Sequence, residues 1–143
     1  MAHRVCPWWL GYWLACPLRR MWYDPASLLA PYVREGMTVI EPGPGMGFFT
    51  LDLARMVGAS GRVVAVDIQP KMLAGLKRRA AKAGLSDRVD ARLAAPNSMG
   101  LADLDGADFA LAFAPTKLVP RSRRHLIKFV PGRQKVRHTL LAP

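Results

Sequence analysis

Val39-Ile40-Glu41-Pro42-Gly43-Pro44-Gly45-Met46-Gly47-Phe48-Phe49-Thr50 is the stretch on which the fold turns. Met37–Glu41 is a short β-branched run closed by proline and glycines, which predicts a first strand. Phe49, Leu53 and Met56 then fall at helical spacing, which predicts a helix over 48–57 ended by Gly58. Between them, Gly43, Gly45 and Gly47 alternate and leave little side-chain bulk, so a ligand can lie directly on the backbone. The loop feeds a helix N-terminus, whose first N–H groups lack intrahelical partners.

The spacing excludes a dinucleotide fingerprint. Gly-x-Gly-x-x-Gly counted from Gly43 puts Phe48 at the third glycine, and counted from Gly45 it puts Thr50 there. Glu41, just ahead of the glycines, would repel a phosphate and suits a ligand bearing an ammonium or sulfonium. Downstream, Arg62–Ile68 is nearly continuous Val and Ala, as a strand covered on both faces should be. It ends on Asp67, twenty residues past Gly47, where a carboxylate can accept both hydroxyls of a ribose. Pro70–Ala83 reads as a helix with Met72, Leu73 and Leu76 as its buried stripe and Gly84 as its stop. Arg88–Leu93 and Ala107–Ala114 complete the strands. The alternation predicts an α/β fold with a parallel sheet and right-handed crossovers, and a ligand at the carboxyl ends of the first two strands.

Val-Ile-Glu-Pro-Gly-Pro-Gly-Met-Gly-Phe-Phe-Thr, followed by Gly-Arg-Val-Val-Ala-Val-Asp-Ile-Gln-Pro-Lys-Met-Leu, resembles motif I and the acidic-loop motif of class I S-adenosylmethionine-dependent methyltransferases. The small-molecule, quinone-biosynthesis group is the nearest in character, and the likeness spans roughly residues 33–114. It implies a Rossmann-like sheet, S-adenosylmethionine as cofactor and a small-molecule methyl acceptor. It also implies roles. Glu41 would face the methionine ammonium, directly or through water. Gly43, Gly45 and Gly47 would line the cofactor by backbone, and Asp67 would hold the ribose. Ile68 and Met72 would flank the adenine, although taken alone both read as core. The family offers an acid to the adenine amino group after the third strand; here that slot falls on Ala95, so the contact is missing or is supplied by Asn97.

The flanks divide the chain into an apolar arm (1–35), the cofactor-binding unit (36–114) and a basic tail (115–143). In the arm, Val5–Leu18 carries no charge, but it is shorter than the twenty or so residues of a membrane span and is broken by Pro7 and Pro17. Ala26–Arg34 is a candidate short helix. Trp8, Trp9, Trp13 and Tyr23 are expected to pack rather than to cap a ligand. Cys6 and Cys16, with His3 nearby, lack a firm third ligand for a metal and are expected to be buried thiols. Two cysteines fit a reducing, cytoplasmic setting.

All ten acidic residues lie at or before Asp108. The first 108 residues therefore hold 13 Lys and Arg against ten acids, whereas the remainder adds eight cations and no acid, for a net charge of +11. Such a tail holds phosphates or is a solvated, out-of-frame segment; the absence of aromatic platforms favours the second. Beyond Ala114 the family continues with a helix and a fifth strand introduced by a Lys-Pro-Gly-Gly-like turn, of which only Pro131-Gly132-Arg133 is a faint likeness. The expected consequence is an incomplete sheet whose fourth strand exposes an edge and self-associates. Docking of Leu126–Val130 as a substitute strand is the alternative. Three functional readings follow: methyl transfer, cofactor binding by a truncated chain without turnover, and a nucleic-acid-associated protein acting through its tail.

Overall fold

The computed structural model describes residues 24–112, the single residues Pro7 and Trp9, and the backbone of 126–128. Trp8, Trp13, Tyr23, Cys6, Cys16 and His3 lie outside the described residues. The first element is a short helix, α1 (Pro25–Leu29), capped by Asp24, whose carboxylate accepts from the amides of Ala26 and Ser27 at 3.2 and 3.3 Å. Pro25 at its first turn is preset for helical φ. The helix ends five residues short of Arg34, with Ala30 as its C-cap ahead of Pro31, which donates no hydrogen bond to extend it.

Four strands follow in parallel: β1 (Thr38–Pro42), β2 (Arg62–Asp67), β3 (Val89–Leu93) and β4 (Phe109–Ala112). Helix α2 (Thr50–Met56) joins β1 to β2, and α3 (Pro70–Lys82) joins β2 to β3 through a single 3-10 turn at Ser86–Arg88. The strands stand in the order β3-β2-β1-β4, with β5 (Leu126–Lys128) beyond β4. The chain thus moves outward from β1 through β2 to β3 and returns to the other side of β1 as β4. The strand order reverses between β1 and β4, which is where sheets of this kind open a crevice at their carboxyl ends.

Side-chain alternation along the strands decides which layer each residue enters. Val39, Val63 and Phe109 pack with Leu29, Val33, Leu53, Ala54 and Val57 beneath α1 and α2. Ala65 packs with Leu73 and Leu76 of α3. The opposite face, Ile40, Val64 and Val66, is covered by Leu101, Leu104 and Ala107 from the β3–β4 connection. That connection is fastened to the sheet by Arg92, which donates to Asp90 at 2.7 Å, to Asp103 at 2.8 Å and to the Gly100 carbonyl at 2.7 Å.

The expectation of an open β4 edge is corrected. Leu126–Lys128 pairs with β4 in the antiparallel sense, Leu111 opposite Ile127, so the backbone groups expected to recruit a second chain are engaged within this one. The strand contributed by the basic tail runs opposite to the other four.

Candidate functional site

Glu41 is the third residue after Thr38 on β1, so it shares a face with Val39 and points toward the helical layer. Asp67 lies two residues beyond Ala65, the register partner of Glu41, and so shares that face. Both carboxylates reach the same end of the sheet on the same side, separated by the glycine loop that leaves β1.

Glu41 is 3% exposed, and its carboxylate accepts a hydrogen bond from the Thr50 hydroxyl at 2.5 Å. Burial pushes its pKa up to about 7, against the opposing pull of that hydrogen bond. Near neutrality the group therefore stands between its two protonation states, and a cation beside it would draw it into the ionised one. Asp67, also nearly buried, is pushed upward by desolvation. The amides of Gln69, at 2.9 Å, and of Gly45 and Ile68 oppose the shift by donating to its carboxylate.

The loop is tied down at several points. The Gly43 amide donates to the Val66 carbonyl at 2.8 Å, which holds the loop against the end of β2. The three glycines do different work. A Cβ on Gly43 or Gly45 would meet no heavy atom within 4 Å, so their backbone faces open space. A Cβ on Gly47 would stand 2.4 Å from Leu76 Cδ1, so Gly47 is small because α3 packs against it. Met46 between them is buried, and its carbonyl accepts from Arg79 at 2.8 Å.

Ile68 follows Asp67 and is 56% exposed, an apolar surface beside the carboxylate. Leu93, the register partner of Asp67, is 57% exposed, and the Ala94 amide donates to the Asp67 carbonyl at 2.9 Å. Met72 is buried in the first turn of α3 and forms wall rather than surface. Asn97 is exposed at the turn after β3, where the Ala95 amide donates to the Ser98 carbonyl at 2.9 Å. The structure thus gathers Glu41, Gly43, Gly45, Asp67 and Ile68 into one edge. It places Gly47 and Met72 behind that edge, and Asn97 four residues past the end of β3. Sequence reasoning missed three contributors. Leu93 becomes visible only through strand register. Thr50 and Arg79 carry no local signal, being one more hydroxyl at a helix start and one more cation in a basic helix. Among the described residues no cluster of His, Cys, Asp and Glu is arranged to hold a metal, and no helix is long and apolar enough to cross a membrane.

The open backbone of Gly43 and Gly45 between two carboxylates suits an extended ligand with a cationic end and a diol. Comparison with known proteins agrees with that chemistry. A structure described as an S-adenosylmethionine-dependent methyltransferase from Aquifex aeolicus superposes with a TM-score of 0.69 at 31% identity, covering 76% of this chain and 57% of that one. A ribosomal protein L11 methyltransferase of Methylococcus capsulatus is 40% identical over 91 residues, which is 64% of this chain and 27% of that protein. A catechol O-methyltransferase of Mycobacterium tuberculosis is 39% identical over 79 residues, 55% of this chain and 36% of that one. The chain therefore spans little more than a third of the curated relatives at most. Residues 33–128 match the family described as methyltransferase domain. The chain belongs to that family, and its fold is the Rossmann-like fold of class I S-adenosylmethionine-dependent methyltransferases.

Proposed function

We propose that this chain binds S-adenosylmethionine along the carboxyl ends of β1 and β2 and presents its methyl group to a small-molecule acceptor at the crevice between β1 and β4. One observation carries the reading: a buried Glu41 and a nearly buried Asp67, on one face of the sheet, flank a loop whose Gly43 and Gly45 offer bare backbone. Glu41 takes the ammonium, directly or through water. Gly43 and Gly45 lie under the methionine part, with Gly47 supporting them from behind. Asp67 accepts the ribose hydroxyls. Ile68 covers the adenine, Met72 backs it, and Asn97 reaches its amino group. The bound cofactor would supply an activated methyl and its own leaving group, so the protein's part is placement of the acceptor and exclusion of water, without an obligatory nucleophile–base pair.

Calorimetric titration with S-adenosylhomocysteine tests the binding half: heat at micromolar to millimolar ligand is expected, and its absence at millimolar ligand sinks the reading. Transfer of a labelled methyl group to a panel of phenols, quinols and amines tests the acceptor. A second reading, cofactor binding without turnover, draws support from the antiparallel β5, which occupies the place beyond β4 where a fifth parallel strand is expected. Robust transfer by this chain to any acceptor removes it.

A further inference from the structure

We propose that α3 is the clamp of the cofactor loop, with Gly75 and Arg79 as positioning residues that set the loop's shape for the aminoacyl end of the ligand. The inference rests on the cofactor reading given above. A loop with glycines at 43, 45 and 47 has wide backbone freedom, and a ligand that had to order it would lose affinity to that ordering. Something must hold it.

The holding points converge on one residue. Met46 is 3% exposed. Its carbonyl accepts from Arg79 Nη1 at 2.8 Å. Its side chain rests on Gly75, where a Cβ would stand 3.0 Å from Met46 Cγ and 3.2 Å from its sulfur. Gly75 and Arg79 are one helical turn apart, hence on one side of α3. Leu76, beside Gly75, fills the space in front of Gly47. The helix thus grips the loop from Met46 to Gly47. The neighbour on the other side, Gly45, is the glycine whose amide serves the Asp67 carboxylate and whose α-carbon opens onto the site. Fixing the Met46 carbonyl fixes the Met46–Gly47 peptide plane, and fixing its side chain fixes the Met46 α-carbon to which the Gly45 peptide is joined. None of these α3 groups need touch the ligand for this to work.

Two substitutions separate positioning from mere support. Gly75→Ala adds a methyl where Met46 must yield by a few tenths of an ångström, and alanine is the better helix former. It is expected to leave the melting temperature of the ligand-free protein unchanged or raised while weakening S-adenosylhomocysteine binding about fivefold or more. Arg79→Met keeps the aliphatic stem and removes the donors; a loss of about tenfold is expected, with partial recovery in Arg79→Lys. Because only one of the three amides that hold Asp67 comes from the loop, the others being those of Gln69 and Ile68, 5′-methylthioadenosine, which lacks the aminoacyl end, should bind both variants within about twofold of the parent. Equal loss for the two ligands, or affinity that merely follows melting temperature, overturns the proposal. So does unchanged S-adenosylhomocysteine binding in Gly75→Ala and Arg79→Met. Failure of the parent chain to bind S-adenosylhomocysteine at all is a different result and refutes the cofactor reading itself.

Discussion

At Glu41, stability and the proposed ammonium contact pull in opposite directions. Its pKa rises from 4.5 to about 7 on folding, because burial disfavours the charged form. The folded state therefore holds the proton more tightly than the unfolded state does. Glu41's contribution to stability is greatest below pH 4.5, falls as pH rises toward 7, and is flat above that. The shift corresponds to about 3 kcal/mol between those limits. Glu41→Gln removes the titration while still offering Thr50 an acceptor. At pH 8 we expect the variant to be more stable than the parent by about 1–3 kcal/mol in urea titrations, yet to bind S-adenosylhomocysteine more weakly. Parent affinity for that ligand should rise with pH through 7, since its ammonium favours the ionised carboxylate. A flat profile between pH 5.5 and 8 would place the ammonium elsewhere. Asp67, in the proposed site, is tested by a different route. Asp67→Ala deletes charge-assisted hydrogen bonds worth about 1.5–3 kcal/mol each, so calorimetry should read a loss of tenfold or more.

Among the elements, the glycine loop and α3 depend on each other. Gly47 has φ +86°, a conformation costly for an L side chain, and its missing Cβ makes room for Leu76. Gly47→Ala brings both penalties together. It should lower stability by about 2 kcal/mol or more, read as a fall in melting temperature. By contrast, alanine at Gly43, equally positive in φ at +70° but facing open space, meets only the backbone penalty. Gly43→Ala is expected to melt higher than Gly47→Ala and to suffer chiefly in ligand affinity. Similar melting temperatures for the two variants would contradict the division between a packing glycine and glycines that face open space.

For the molecule as a whole, charge and sheet completion meet in the tail. Residues 24–112 carry ten Lys and Arg and ten Asp and Glu, so the described body is neutral and the net +11 resides outside it. Generic duplex RNA should therefore bind only at low salt, and deleting residues 129–143, which hold three of the eight tail cations, should weaken what binding there is. Binding unaffected by the deletion would locate the interaction outside those residues. The same tail supplies β5. Hydrogen exchange should show protection at 126–128 in a monodisperse monomer, and Ile127→Pro, which puts a ring that fits a paired strand poorly at the middle of β5, should promote self-association through the freed edge. Rapid exchange at 126–128 together with concentration-dependent association of the parent would restore the open-edge expectation.

What sequence alone determines is the order and direction of the central elements and the identity of both carboxylates. β1, α2, β2, α3 and β3 each arise within a few residues of the predicted bounds, since each rests on a local pattern: β-branched runs, helical spacing, a proline start, a glycine stop. The positions of Glu41 and Asp67 are legible for the same reason, each closing a β-branched run, Glu41 just ahead of the glycine loop. Tertiary structure alone decides which apolar residues are surface and which are wall. Ile68 and Met72 look alike along the chain, yet one stands half exposed at the strand end and the other is buried in the first turn of α3. It alone decides that Gly47 yields to a leucine 29 residues away, that Arg79 holds a carbonyl 33 residues away, and that Leu93 stands beside Asp67. The antiparallel β5 belongs to the same class. Strand pairing is a contest between alternative partners for one row of backbone groups, and a local sequence pattern records a segment's preference for being extended but not the direction in which it will find its neighbour.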